Sequence, residues 1–78
     1  MPVLRLFGPA RTSAGTGRAE VPGSSVAEVL EGATRRFGPA FAEVVAMSRL
    51  WVNGEATDRD RTLDDEDELA VIPPVSGG

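Results

Sequence analysis

The chain has 78 residues, a net charge of −4 and no cysteine, histidine or lysine. These absences exclude zinc and iron–sulfur sites built on Cys or His, disulfide scaffolds, Cys or His nucleophiles and lysine Schiff bases. A chain of this length forms one small domain. No apolar run is long enough for a signal peptide or a membrane span. With no cysteine to indicate an oxidising compartment, we expect a cytoplasmic protein that does not associate with a membrane.

Charge is distributed unevenly along the chain. Residues 1–54 carry a net charge of +2, whereas residues 55–78 carry −6 and include five consecutive acids at 64–68. A negative carboxy-terminal third repels phosphate, so nucleic acid is not an expected partner. The acidic run either forms a solvated turn or, lying next to the carboxy-terminal tail, steers docking onto a basic protein surface.

The amino-terminal third predicts a β-hairpin. Residues 3–7 read as a strand, and Gly8-Pro9 ends it. Residues 13–17 have the composition of a turn, and residues 18–21 are long enough to return as the partner strand.

The clearest local signal is a helix that begins after Ser25. Ser25 and Glu28 fit a capping box, in which the hydroxyl and the carboxylate each satisfy a backbone N–H at the other residue. One apolar stripe follows at helical spacing, made of Val26, Val29, Leu30, Ala33 and Phe37. Gly38-Pro39 ends the helix. Gly32 lowers helix propensity, which indicates a close approach to the sheet.

The second half of the chain predicts three further strands. Residues 40–49 suit a short second helix, although Val44-Val45 is also compatible with the start of a strand. Residues 50–52 form a strand, Asn53-Gly54 suits a type I′ turn, and a short return strand follows near residues 55–57.

A final strand is predicted at residues 69–72, after the charged turn at 64–68. Pro73-Pro74 ends it, since proline donates no hydrogen bond to a strand ladder. The element order predicts an α+β fold in which a sheet packs one main helix on one face.

The side chains offer no conventional active site. Consecutive acids at 64–68 point in different directions, and their spacing matches neither an acid–base pair nor a calcium loop. No serine has a histidine to activate it. The Gly15-Thr16-Gly17 segment lacks the rest of a phosphate-binding loop. We therefore expect no metal site and no bound cofactor.

The unusual feature is the end of the sequence, residues 73–78. Two prolines favour an extended exit from the sheet, and six extended residues reach about 20 Å. Gly77 and Gly78 have no Cβ, so they fit a narrow channel. We expect residues 1–72 to form the domain and residues 73–78 to form an extended, flexible tail that delivers the Gly78 carboxylate to another protein's active site.

Strand alternation predicts a partner-binding face. If Leu and Val at alternate positions form the core, Phe7, Trp51 and Ile72 project from the helix-free face of the sheet. The alternative is that Trp51 completes the core. The residues expected to contact partners are Phe7, Trp51, Ile72, Pro73, Pro74, Val75 and Ser76.

Four segments closely resemble the small, sulfur-carrying subunit of molybdopterin synthase. They are VLRLFG at residues 3–8, VNGE at 52–55, LDDEDEL at 63–69 and LAVIPPVSGG at 69–78. The resemblance implies a β-grasp, ubiquitin-like fold with a mixed sheet of four to five strands. It also raises one question, because the family often has glycine where this chain has Glu66. If that position needs positive φ, Glu66 is strained.

The resemblance also implies a function. An ATP-dependent activating enzyme adenylates the carboxylate of Gly78, and sulfur then replaces AMP to leave a thiocarboxylate. Inside the large catalytic subunit of the synthase, within a heterotetramer, that sulfur attacks a cyclic pyranopterin and builds molybdopterin. The alternatives are a related carrier for thiamine, cysteine or tRNA thiolation, or a non-catalytic ubiquitin-like interaction module or modifier that is conjugated to lysines.

Overall fold

Three helices and five strands make up the regular structure of residues 1–74, the part of the chain that the computed structural model describes. In chain order they are β1 (Val3–Leu6), α1 (Gly8–Ala14), β2 (Arg18–Glu20), α2 (Val26–Phe37), α3 (Pro39–Ala46), β3 (Arg49–Val52), β4 (Glu55–Ala56) and β5 (Glu68–Ile72).

The strands form one mixed sheet in the order β2-β1-β5-β3-β4. β5 lies in the middle, parallel to β1 and antiparallel to β3, while β2 and β4 pair antiparallel at the two edges. Short strands at both edges limit the exposed hydrogen-bonding groups on which another chain could pair. The predicted α+β fold with a mixed sheet of four to five strands is confirmed.

The core lies between one face of this sheet and a layer of three helices. Ala10 of α1, Leu30 of α2 and Phe41 of α3 are all buried in the same apolar cluster as Leu4 and Leu69 of the central strands. The prediction of one main helix holds for α2, the longest of the three. It was incomplete, because α1 and α3 extend the same layer.

The sequence reading missed α1. Gly8-Pro9 ends β1 as predicted, but Pro9 lies in the first turn of a helix, where a missing N–H and a fixed φ are favourable. Ala10 is completely buried, which holds this short helix against the core. The predicted turn at residues 13–17 is present but shorter than expected, because α1 extends to Ala14. Gly15 caps the helix in the left-handed conformation, with φ 76°.

The capping box of α2 differs from the expected one in its second hydrogen bond. The backbone N–H of Glu28 donates to Oγ of Ser25 at 3.2 Å, as predicted. The Glu28 carboxylate, however, accepts from the N–H and the hydroxyl of Ser24, at 3.0 and 3.1 Å. These bonds, the backbone one first, hold the pKa of Glu28 below its ordinary value of 4.5.

Gly32 allows the close approach that its position in α2 predicts. A Cβ built there would lie 3.2 Å from Cγ1 of Val21, the buried residue that follows β2. Of the two alternatives for residues 40–49, the helix is correct, because Val44 and Val45 belong to α3. Val45 is buried and Val44 packs against the core, a spacing that suits a helix but not a strand start.

One hydrogen-bonded cluster joins the β3–β4 turn to the acidic turn before β5. The turn is the predicted type, with positive φ at both Asn53 and Gly54. The Asn53 side chain donates to Oδ1 of Asp67 at 2.8 Å and accepts from the Glu68 N–H at 3.0 Å. The other Asp67 oxygen accepts from the Asp64 N–H at 2.8 Å. Hydrogen bonds from Asp64 and Asn53 lower the pKa of Asp67 below its ordinary 3.8.

Glu66 does not occupy a position that needs positive φ, so the condition for strain there is not met. The acidic turn is closed by a hydrogen bond from the Asp67 N–H to the Asp64 carbonyl at 3.1 Å. Across residues 1–74, Asn53 is the one non-glycine residue with positive φ, so Glu66 adopts an ordinary conformation. The Asp67 side chain stabilises this turn without requiring glycine at position 66.

We expect Asn53→Ala to destabilise the domain by about 1 kcal/mol through its lost side-chain hydrogen bonds, with additional strain because alanine disfavours positive φ. Asn53→Gly loses the same hydrogen bonds but tolerates the turn conformation. Urea denaturation measures both. An unfolding free energy that decreases in the order wild type, Asn53→Gly, Asn53→Ala supports a stabilising role for the cluster. Equal unfolding free energies of all three proteins contradict it.

Stability should also fall in acid through Asp67 and Glu28. Because their folded pKa values are lowered, each carboxylate stabilises the fold above its ordinary pKa, and this contribution is lost as the pH falls through the lowered value. Asp67→Asn should flatten the decline in unfolding free energy measured from neutral pH down to below 3.8.

The matched control for that measurement is Glu66→Gln. Within the described residues the Glu66 side chain makes no hydrogen bond or ion pair. The control should therefore retain the wild-type acid decline. An equally steep decline in Asp67→Asn would show that the Asp67 hydrogen bonds do not cause it.

Candidate functional site

The candidate site is the point where the chain leaves the sheet. β5 is paired on both sides up to its end, where Leu6 of β1 pairs with Val71 and Arg49 of β3 pairs with Ile72. Pro73 is buried and Pro74 is exposed. The tail therefore begins from the centre of the sheet, and its first residue packs against the domain.

Four of the predicted site residues, Val75, Ser76, Gly77 and Gly78, lie outside the described residues. The working group predicted from the sequence, the Gly78 carboxylate, is one of them. Its role and those of its three neighbours remain predictions.

The structure places Trp51 and Ile72 on the helix-free face. Trp51 pairs with Ala70, while the next pair along the two strands, Val52 and Leu69, is fully buried in the core. Successive side chains of a strand point to opposite faces, so Trp51 and Ile72 face away from the helices. Both are half-buried. The alternative that Trp51 completes the core is wrong.

Phe7 continues the same face beyond the end of β1. Its backbone is extended, with φ −129° and ψ 155°, and it lies two residues after Arg5. Its side chain is 44% exposed, which is unusual for phenylalanine. Phe7, Ile72 and Arg49 thus occupy the end of the sheet from which the tail leaves.

Strand register arranges the charges of this face in rows. Near the start of β5, Val3 is paired with Glu20 on one side and Glu68 on the other. Two residues along β1, Arg5 is paired with Arg18 and Ala70. The face is therefore acidic at the end distant from the tail and basic at the end where the tail begins.

This arrangement corrects the expected position of the acidic run. The turn at 64–67 precedes β5, whose five residues span about 17 Å at 3.3 Å per residue, so the turn lies at the opposite end from the tail. It does not flank the tail, and it is not positioned to steer a partner onto it.

Two of the open grooves formed by residues 1–74 border the helix-free face. One, of about 290 Å³, lies beside Arg49, Trp51 and the edge strand β4. The other, of about 420 Å³, lies between α1 and the β1–β2 hairpin, and its lining includes Arg11 and Arg18. Neither arginine stands out in the sequence, because only the strand register and the missed helix α1 bring them to the same groove as Arg5.

Residues 1–74 hold no group of three or more acidic side chains placed to bind a metal ion. Over the same residues, no helix has the length and apolar character needed to span a membrane.

Known proteins share both sequence and fold with this chain. The ThiS family model matches residues 4–78. Among solved structures, small archaeal modifier protein 1 (SAMP1) from Haloferax volcanii is 30% identical, with a TM-score of 0.81 over 99% of this chain and 98% of that one. SAMP1 from Methanosarcina acetivorans is 27% identical, with a TM-score of 0.88 over 99% and 95%.

A third similar structure is a putative molybdopterin converting factor, subunit 1, from Pyrococcus furiosus. It is 29% identical, with a TM-score of 0.78 over 95% of this chain and 97% of that one. The fold shared with these proteins confirms the β-grasp prediction. The match to the family model over nearly the whole length shows that the chain belongs to the ThiS family of ubiquitin-like sulfur carriers and modifiers.

Proposed function

We propose that this protein is the sulfur carrier subunit of a molybdopterin synthase, with Gly78 as the terminal residue that carries sulfur. The observation that carries the proposal is the start of the tail at the centre of the sheet, next to exposed Phe7. A partner that docks on the helix-free face there receives residues 73–78 directly. The PPVSGG sequence and the similarity to a molybdopterin converting factor subunit favour this pathway.

The carboxylate must be activated by another protein, because a carboxylate is a poor electrophile and this chain has no Cys, His or Lys. Attack of the Gly78 carboxylate on the α-phosphate of ATP forms an acyl-adenylate and releases pyrophosphate. A sulfur nucleophile at the oxidation level of sulfide, HS⁻, then attacks the acyl carbon, AMP leaves, and Gly78 becomes a thiocarboxylate. The ATP and the activating enzyme are proposed partners of the chain, which itself needs no bound cofactor.

In the second step, the thiocarboxylate sulfur attacks a carbon of the cyclic pyranopterin within the large synthase subunit, and the oxygen substituent on that carbon leaves as the C–S bond forms. Hydrolysis of the resulting acyl–sulfur bond leaves sulfur on the pterin and restores the Gly78 carboxylate. The activating enzyme and the large subunit both need the same tail. They must therefore bind this protein in turn, and the synthase heterotetramer forms after activation.

The similarity to two archaeal modifier proteins favours a second candidate function. The same acyl-adenylate can be attacked by a lysine amine of another protein, which would make this chain a covalent modifier. Because the sequence has no lysine, a modifier of this kind cannot build side-chain-linked polymers of itself.

Mass spectrometry of the intact protein tests the first proposal. When the protein is purified together with its activating enzyme and a sulfur source, a fraction should gain the mass difference between sulfur and oxygen. Deletion of Gly78 should abolish this species and leave thermal stability unchanged, since β5 ends six residues earlier. Sulfur transfer that persists in the deletion variant would refute the proposal.

The pathway is identified by loss of function in the source cell. Loss of molybdenum-cofactor enzyme activity, restored by the wild type but not by the Gly78 deletion, supports the molybdopterin assignment. Thiamine or cysteine auxotrophy assigns a related carrier instead, and adducts on lysines of other proteins assign a modifier.

Phe7 should contribute strongly to partner binding. We expect Phe7→Ala to weaken binding to the large subunit by about tenfold or more, because exposed aromatic residues at the centre of an interface are frequent hot spots. The matched control is Met47→Ala, which removes an even more exposed apolar side chain at the end of α3. Isothermal titration calorimetry measures both, and equal affinities for the two variants would contradict a contribution of Phe7 to binding.

A further inference from the structure

Three arginines converge on the groove of about 420 Å³ between α1 and the β1–β2 hairpin. We call this feature the arginine groove, and its lining residues used below are Arg5, Phe7, Arg11, Gly17 and Arg18. Gly17 and Leu6 are joined by a backbone hydrogen bond, and Leu6 pairs with Val71 of β5. The arginine groove therefore lies one strand away from the start of the tail.

Two of these arginines form an unfavourable pair within the fold. Arg5 and Arg18 are direct partners across antiparallel strands, where like charges destabilise a sheet. Arg5 approaches Glu68 at 3.6 Å. For Arg18, residues 1–74 supply no carboxylate within 4.0 Å. A cross-strand arginine pair that weakens the domain is consistent with a function in binding an anion.

The third arginine is positioned by packing against the hairpin. A Cβ at Gly17 would lie 3.3 Å from Nε and 3.4 Å from Cζ of Arg11, so the guanidinium lies against the Gly17 backbone. No carboxylate of residues 1–74 lies within 4.0 Å of Arg11 either.

The shape and lining of the arginine groove favour a protein segment over a small anion. The groove is open, and its wall includes Phe7, whose side chain is 44% exposed. Inorganic phosphate would gain nothing from that apolar surface, whereas a peptide can contact it. Guanidinium groups bind carboxylates in a bidentate geometry. The acidic end of the molecule would also repel an extended polyanion such as a nucleic acid.

We propose that the arginine groove binds a carboxylate-rich segment of the protein that processes the tail. The identity of that protein rests on the proposed function, but the chemistry of its docking segment does not. A net charge of −4 would favour a basic partner. The surface beside the tail is nevertheless basic, and it favours an acidic partner there. Charge complementarity there speeds association and sets the orientation in which the tail is presented.

The direct test is an NMR titration of the full chain with hexaglutamate, hexalysine and inorganic phosphate. Hexaglutamate should shift the amide resonances of Phe7, Arg11, Gly17 and Arg18 saturably, and added salt should weaken this binding. Hexalysine should leave these resonances unchanged. Equal shifts with phosphate would overturn the proposal in favour of a small-anion site, and no preference for hexaglutamate over hexalysine would overturn it entirely.

A charge-reversal pair with a matched control locates the binding. Arg11→Glu/Arg18→Glu should abolish the hexaglutamate shifts and lower the association rate constant for the activating enzyme by about tenfold. Arg35→Glu/Arg59→Glu changes the net charge equally at two exposed positions outside the groove, and should change that rate by less than twofold. Equal effects of the two double variants would overturn the proposal.

A single variant separates binding from a structural role. Arg18→Thr removes the like-charge pair, so it should raise the urea midpoint of the domain while weakening hexaglutamate binding. Lower stability together with weaker binding would assign Arg18 a structural role and contradict the proposal. The titration does not require sulfur on Gly78, so the two proposals are tested separately. The mass spectrum tests the sulfur carrier proposal, and the hexaglutamate titration tests binding at the arginine groove.

Discussion

The central position of β5 is the constraint on which the rest of the structure depends. β5 is hydrogen-bonded on both sides, to β1 in parallel and to β3 in antiparallel orientation. Its inward side chains Leu69 and Val71 are fully buried against the helix layer. A force applied to the tail is therefore resisted by two strand ladders and by the packing of the core. A segment that begins at such a strand can be inserted into another protein while the domain stays folded.

The hydrogen-bonded cluster around Asn53 and Asp67 supports the opposite end of the same strand. It joins two turns that are distant in sequence and positions the first residue of β5 through the Glu68 N–H. The acid at position 67 is thereby explained structurally, since the Asp67 carboxylate accepts hydrogen bonds from two other residues. The Asp67 carboxylate thus stabilises the fold at the start of β5, and the tail leaves from the other end of that strand.

Much of this architecture could be predicted from the sequence, because its signals are local. Alternation within single strands placed Trp51 and Ile72 on the outer face, and the Asn53-Gly54 pair specified its turn. α1 was missed because Gly8-Pro9 ends a strand and begins a helix with the same two residues. The Arg5–Arg18 pair could not be found, because it depends on the register between β1 and β2 and not on any short-range pattern.

The separation of charge along the sheet explains how a protein with a net negative charge can bind the acidic partner segment proposed above. Net charge governs long-range repulsion, but screening limits that field to about 8 Å at physiological ionic strength. The acidic turn lies about 17 Å from the end of β5, whereas the arginine groove is one strand away from it. At the arginine groove a docking partner therefore meets Arg11 and Arg18, which have no carboxylate of residues 1–74 within 4.0 Å, while Arg5 lies 3.6 Å from Glu68. The distribution of charge relative to β5, more than its sum, determines which surfaces can approach the tail.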